Sequence, residues 1–360
     1  MTPEEIFQAL VRLPREAGTP AAEEARELLT RHLEAHGYRV RRQPFAFQPI
    51  AANVLPILGA GLGWLTLLEI PLLLLGTLPE GMALLVWLVG VVALGVLAWG
   101  IGTGIDIPGA ERREDANLIV TRGPAPVRRW IVAHVDSKAQ GHSMAGRLAA
   151  VWALVLAVLL LTALAAARWI RGDALASGPV AAGAGFAMAA GALAARGRVH
   201  RTSPGARDNG TGLLAALVAA ETCRDDGIGF AFTGAEEFGL VGARVFAGEL
   251  RDSGVAEVVN VDTVTGRGHL YVLRHDQRGG ALAARLAAVL PAVRGGIRVR
   301  RLPLGILVDS LPMAQAGATA VTTAWLDWGD LRRLHTPRDT PDGLDLTAAR
   351  KVGETLADLR

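Results

Sequence analysis

Residues 228–242 read Ile228-Gly-Phe-Ala-Phe-Thr-Gly-Ala-Glu-Glu-Phe-Gly-Leu-Val-Gly242. The apolar run has the length of a strand and stops at Gly234, and a helical pattern resumes near Leu240. This pattern predicts a buried parallel strand that brings Glu236 and Glu237 to the carboxyl edge of a sheet, where α/β folds bind ligands. Two adjacent carboxylates in a crevice repel each other unless a cation lies between them or one keeps a proton. We therefore expect further metal ligands elsewhere in the chain.

Potential ligands end a strand or begin a loop in four other segments. They are His134 with Asp136, Asp208, Asp262 and His335. Imidazoles mixed with carboxylates suit zinc, with cobalt or manganese as substitutes. A single histidine after a strand is more often an ordinary polar residue, and the turn that begins at Asp208 could simply cap the following helix. Five such segments in one chain favour a metal site.

Four apolar blocks explain an unusual composition, in which 51% of the 360 residues are hydrophobic and 20% are charged. The blocks lie at about 51–77, 82–101, 147–169 and 175–195. As a helix, each is long enough to cross a hydrocarbon core of ~30 Å, so the sequence predicts four transmembrane helices. Buried helices in a large soluble core remain the alternative, because the first block contains Glu69 and the fourth is mostly Ala and Gly.

The blocks pair into two hairpins that interrupt one polar domain twice. We predict a discontinuous domain of residues 1–50, 104–146 and 196–360, with a first transmembrane hairpin at 51–103 and a second at 147–195. Strand-like and helical patterns alternate through the polar segments. This alternation predicts an α/β fold with a mixed central sheet flanked by helices.

Arginines are distributed unevenly around the predicted spans. Only Arg168 and Arg171 lie at the hairpin tips, whereas the domain side has Arg39, Arg41, Arg42, Arg112, Arg113, Arg147, Arg196, Arg198 and Arg201. By the positive-inside rule, this bias predicts a multi-pass protein of the cell membrane whose domain faces the cytoplasm. The formal net charge of +3 comes from arginines that flank the apolar blocks, which suggests lipid headgroups as partners. A nucleic-acid partner is not expected, because no basic groove with interleaved aromatic residues is visible.

Five motifs, in this order and spacing, resemble one known family. They are Ala133-His-Val-Asp136-Ser, Pro204-Gly-Ala-Arg-Asp208-Asn-Gly-Thr-Gly212, Ala231-Phe-Thr-Gly-Ala-Glu-Glu-Phe-Gly-Leu-Val-Gly-Ala243, Val259-Asn-Val-Asp262 and His335-Thr-Pro-Arg-Asp-Thr-Pro-Asp342. The chain resembles the zinc metallopeptidase family of the bacterial di-zinc leucyl aminopeptidases, whose relatives include glutamate carboxypeptidase and glutaminyl cyclase. The resemblance implies the zinc exopeptidase fold, which is phosphorylase/hydrolase-like, here with two inserted transmembrane hairpins.

The resemblance also implies a role for each matching residue. Asp208 would bridge two zinc ions, and the peptide bond after it would be cis. His134 and Asp262 would complete one site, and Glu237 and His335 the other. Glu236 would be the general base, and Asp136 would orient His134. One departure concerns Val308-Asp309-Ser310, because many members have Ser-Asp-His ahead of the last strand; the pocket wall and the substrate could therefore differ.

The function expected from these observations is a membrane-anchored di-zinc aminopeptidase that acts on the N-terminal residues of peptides. One alternative is a single-zinc amide-processing enzyme, either a glutaminyl cyclase or an N-acyl amino acid hydrolase. Another is a membrane protein that binds peptides without cutting them. The sequence leaves open the preferred substrate residue, the native metal and the oligomeric state.

Overall fold

The computed structural model describes residues 1–75, 77, 79, 81–103, 105–253, 257–291, 296–303 and 305–359. Gly76, Leu78, Glu80 and Gly104, which fall in or beside the predicted first hairpin, lie outside the described residues. Within the described part, the strands are β1 (Arg39–Phe47), β2 (Arg113–Thr121), β3 (Arg129–His134), β4 (Ala139–Gln140), β5 (Val199–Arg201), β6 (Ile228–Thr233), β7 (Glu257–Val264), β8 (His269–Arg274), β9 (Ile297–Arg301) and β10 (Thr319–Leu326).

The helices alternate with these strands along the chain. They are α1 (Pro3–Leu10), α2 (Pro20–Ala35), α3 (Val54–Leu74), α4 (Met82–Thr103), α5 (Met144–Arg171), α6 (Ser177–Ala195), α7 (Gly212–Thr222), α8 (Val241–Ser253), α9 (Gly279–Val289), α10 (Ser310–Gln315), α11 (Trp328–Leu331) and α12 (Thr347–Ala357). Local signals explain several of their starts: Thr2 and Thr19 each cap a helix whose first residue is proline.

The central sheet of the described residues has eight strands in the order β1-β2-β6-β3-β7-β10-β8-β9. Its centre is parallel, because β3 pairs in parallel with both β6 and β7, and β7 pairs in parallel with β10. Antiparallel pairing of β1 with β2, β2 with β6, and β8 with β10 makes the sheet mixed. The predicted mixed α/β sheet flanked by helices is confirmed.

Helices cover both faces of this sheet. Along β3, Ile131 and Ala133 pack into the apolar cluster of α7, whereas Trp130 and Val132 pack into the cluster of α8. This alternation is the period of two that a strand buried on both faces requires. Helix α7 is buried from Gly212 to Ala220, so its apolar residues form the centre of one layer. The strands are therefore buried as far as the edge where β3, β6 and β7 end.

The chain divides into two compact units: residues 1–48, 111–139 and 201–360 form the first, and residues 49–110 and 140–200 form the second. The second contains α3, α4, α5 and α6, which are long and apolar enough to cross a membrane. A side chain at Gly59 would collide with the backbone of Gly191, at 2.5 Å, so small residues let α3 and α6 approach closely. Tryptophans such as Trp64 and Trp99 are exposed on the outside of this unit.

Candidate active site

The ends of three neighbouring strands carry most of the predicted site. His134 is the last residue of β3, Glu236 and Glu237 follow β6, and Asp262 lies near the end of β7. Because β3 pairs in parallel with β6 and with β7, these ends meet at one edge of the sheet. Two loops add the remaining residues, which are Asp208 from the turn before α7 and His335 from the segment after α11. The structure thus brings every predicted site residue to one place.

Asp208 lies between the two histidines. Its Oδ1 is 3.1 Å from His134 Nε2, and its Oδ2 is 3.1 Å from His335 Nε2. Glu237 Oε2 is 3.3 Å from the same His335 nitrogen. Two groups of three could each hold a metal ion, with donor atoms within 4.8 Å of one another: His134, Glu236 and Asp262, and Asp208, Glu237 and His335. One carboxylate thus contacts both groups, an arrangement that allows it to bridge two ions.

The donor atoms fit a transition metal such as zinc. His134 Nδ1 lies 3.0 Å from the backbone carbonyl of Asp136, a contact that fixes the ring and leaves Nε2 as the ligand atom. His134 Nε2 and Glu237 Oε1 are buried, and no described residue hydrogen-bonds either atom. Leaving buried polar atoms without a partner costs about 1–3 kcal/mol each. A divalent cation ligated by imidazole and carboxylate would satisfy them.

The pKa values of the adjacent carboxylates of Glu236 and Glu237 are shifted in opposite directions. Burial raises the pKa of Glu236 well above its usual range, and Glu237 adds to the rise although His134 opposes it. Burial also acts on Glu237, but His335 and Lys138 overcome it and lower the pKa of Glu237 to about 2. The lowered pKa of Glu237 suits a metal ligand, which must be ionised, whereas the raised pKa of Glu236 suits a group that takes up a proton.

Asp136 contacts more of the site than His134, the residue that it was expected to orient. Its carboxylate accepts the backbone N–H groups of Glu236 at 3.0 Å and of Glu237 at 3.1 Å. That carboxylate lies 3.7 Å from His134 Nδ1, which instead donates a hydrogen bond to the main-chain carbonyl of Asp136. Asp136 therefore holds both the imidazole and the turn that carries the two glutamates.

Backbone conformations are unusual at the same loops. Three non-glycine residues have positive φ at or next to site residues, namely Ala235 (51°), Thr263 (56°) and His335 (60°). Positive φ is costly for a β-branched residue such as Thr263, whose N–H donates to Asn209 Oδ1 at 3.1 Å. Such conformations cluster at functional sites, where the surroundings enforce them. The peptide bond between Asp208 and Asn209 is cis, as the family resemblance implied.

Sequence reasoning missed Lys138 and underrated Asp309. Lys138 Nζ is buried and lies 2.8 Å from both Glu237 Oε2 and the Glu237 carbonyl. Lys138 follows His134 by four residues at the predicted sheet edge, and this position could have indicated a place in the site. Asp309 is buried, accepts a hydrogen bond from Thr233 Oγ1, and acts electrostatically on Glu236. Burial raises the pKa of Asp309 to about 7. Its hydrogen-bond partner Thr233 ends β6, directly before the turn that carries Glu236.

Comparisons with known proteins bear on the fold and on the family. No curated protein matches the chain. Among solved structures, the glutaminyl cyclase of Fimbriiglobus ruber is similar with a TM-score of 0.57 and 16% identity, over 99% of this chain and 93% of that one. A zinc aminopeptidase from Bacillus subtilis has a TM-score of 0.54 and 16% identity, over 99% and 94% of the two chains.

An aminopeptidase from Aneurinibacillus sp. strain AM-1 is similar to the same degree, with a TM-score of 0.54 and 16% identity over 99% of this chain and 92% of that one. At these identities, the similarity concerns the fold. The family match is separate evidence, and it covers the part of the chain that contains Asp208, Glu236, Glu237, Asp262 and His335. The resemblance predicted from the sequence is therefore confirmed: residues 193–360 match peptidase family M28, on a fold shared with zinc aminopeptidases and a glutaminyl cyclase.

Proposed function

We propose that the chain is a membrane-anchored, zinc-dependent aminopeptidase with two metal ions. The family match supports a metallopeptidase with a peptide substrate. The observation that carries the finer proposal is the position of Asp208, whose two carboxylate oxygens each lie 3.1 Å from a different histidine. A peptide-binding protein that had lost catalysis would be expected to lack a ligand or the base, but His134, Glu236 and His335 are all present.

Each residue then has a defined task. His134 and Asp262 would hold one zinc ion, Glu237 and His335 would hold the other, and Asp208 would contact both. When bound, the ions would lower the pKa of the attacking water and polarise the scissile carbonyl. Glu236 accepts the proton of that water and passes it to the leaving amine. Asp136 keeps Glu236 in place through the backbone N–H of that residue.

Hydrolysis of aminoacyl-arylamides by the detergent-purified protein tests this proposal. We expect release of the arylamine with zinc present, loss of release after chelation, and recovery when zinc returns, because the substrate carbonyl needs the metal. The substrate panel would also identify the preferred N-terminal residue. A purified, folded protein that binds no divalent metal would contradict the proposal.

Lys138 favours the second candidate, a single-zinc amide-processing enzyme. Its buried ammonium lies 2.8 Å from Glu237 Oε2 and already supplies one positive charge to the carboxylate cluster. A cluster with a fixed cation needs less compensation from metal ions, so one zinc ion could suffice. Metal content separates the candidates, since the aminopeptidase predicts two active-site ions and the alternative predicts one. The alternative also predicts a different activity. The protein would cyclise N-terminal glutaminyl peptides or cleave N-acyl amino acids, and would not hydrolyse arylamides.

The membrane assignment is supported by the four long apolar helices. We predict that the chain stays in the membrane fraction after alkaline carbonate extraction, because each helix offers lipid a large apolar surface. The arginine bias further predicts that a reporter fused after residue 360 is active in the cytoplasm. A reporter active only outside the cytoplasm would reverse the orientation, and extraction by carbonate would remove the membrane anchor from the proposal.

A further inference from the structure

Three side chains converge at a second place, separate from the strand ends that form the active site. His32 lies in the last turn of α2, His36 is the residue that ends this helix, and Glu221 lies near the end of α7. Glu221 is nine residues beyond the start of α7 at Gly212, which corresponds to about 13 Å along the helix axis. The trio therefore cannot share a metal ion with the active-site ligands.

The distances match those of a tetrahedral zinc site. His32 Nε2 is 3.1 Å from Glu221 Oε1, and His36 Nε2 is 3.4 Å from the same oxygen. All three donor atoms lie within 4.8 Å of one another. Ligands placed about 2.0–2.2 Å from a tetrahedral ion are separated by roughly 3.3–3.6 Å, close to the distances found here. Histidines four residues apart on a helix lie on the same face, which is how helical zinc motifs present their ligands.

The orientation of the rings points to a ligand between them. The side chain of His32 is only 4% exposed, and its Nε2 forms no hydrogen bond with any described residue although Glu221 is so close. A buried ring nitrogen that makes no hydrogen bond is costly, and a metal ion held between His32 and Glu221 would satisfy it. His36 Nδ1 lies 2.8 Å from the carbonyl of His32, a contact that directs Nε2 of His36 toward Glu221.

We propose that His32, His36 and Glu221 form an additional transition-metal site, with zinc as the fitting ion and water at the open position. The two ring nitrogens and the carboxylate oxygen provide the donor set that zinc accepts in proteins. Because the ligands come from α2 and α7, a bound ion cross-links the N-terminal helical segment to the central helix of the fold. The site has a stabilising role and does not touch the substrate.

Zinc stoichiometry of the full, detergent-purified chain tests the site. After chelation and reloading with zinc, we expect His36→Ala and Glu221→Gln each to bind one ion fewer than the unmodified chain. This difference does not depend on whether the active site holds one ion or two. Both variants should retain the activity of the unmodified chain, because neither residue belongs to the catalytic machinery. Glu34→Gln is the matched control, since it removes a charge from the same helix outside the trio, and it should bind zinc normally.

Chemical modification gives a second readout on the unmodified chain, in case a variant fails to fold. The side chain of His36 is 37% exposed, so diethylpyrocarbonate should modify it in the metal-free protein. Zinc should protect His36 from this modification, as judged by mass spectrometry. Equal zinc content in the unmodified chain and His36→Ala, or modification of His36 that zinc does not change, would overturn the proposal. Neither outcome would affect the assignment of the active site.

Discussion

Glu236→Gln is expected to lower kcat by about 10²–10⁴-fold in the zinc-loaded protein, with the fold unchanged. The glutamine amide has the shape of the carboxyl group but cannot accept the proton of the attacking water. The backbone N–H of residue 236 would still donate to Asp136, so the turn should keep its position. Single-turnover and steady-state kinetics on the preferred arylamide would measure the loss. A variant that retained more than a tenth of the activity would exclude Glu236 as the base.

Metal content of the same variant distinguishes a base from a ligand. The Glu236 carboxylate lies within 4.8 Å of donor atoms of His134 and Asp262, so the geometry alone would allow it to bind an ion. If Glu236 is the base, Glu236→Gln should keep its full zinc content. The neighbouring Glu237→Gln is the matched comparison, since it should lose zinc as well as activity. Loss of zinc from Glu236→Gln would instead show that Glu236 is a ligand.

Several residues of the candidate site could be predicted because they lie at the ends of recognisable apolar strands. His134 ends β3 and Glu236 follows β6, two strands whose residues are all buried. Parallel pairing then brings such strand ends together without any knowledge of side-chain contacts. The same argument predicted the mixed sheet, because the alternation of strands and helices after Arg196 is visible along the chain. The local sequence pattern is therefore sufficient to predict the α/β architecture and the site residues at the strand ends.

The supporting residues could not be predicted, because their partners are distant in sequence. Lys138 contacts Glu237, 99 residues away, and Arg207 contacts Asp330, 123 residues away. Neither contact follows from a local pattern, since it depends on how separate loops pack at the sheet edge. The contacts of Asp136 could not be predicted for the same reason. The motif places Asp136 beside His134, but only the structure shows that its carboxylate accepts the N–H groups of Glu236 and Glu237.

Arg207→Leu is expected to lower the free energy of unfolding by about 3–5 kcal/mol, because it leaves buried carboxylates without a cation. Arg207 is fully buried, with Nε 3.1 Å from Asp330 and Nη1 3.5 Å from Asp339. It also donates to the carbonyls of Thr340 and Asp342, so it holds the loop that follows His335. Chemical denaturation of the detergent-solubilised chain, followed by circular dichroism, would measure the change.

Arg350→Leu is the matched control, since it removes the same charge from an exposed pair with Glu4, where the expected cost is at most about 1 kcal/mol. The two variants should also differ in activity. Asp339 accepts the backbone N–H of Asp208 at 3.1 Å, so loss of Arg207 should disturb a residue that positions Asp208, the proposed bridging ligand. Arg350→Leu should leave zinc binding intact, whereas Arg207→Leu should weaken it. Equal destabilisation by the two substitutions would show that the buried network contributes no more than a surface ion pair.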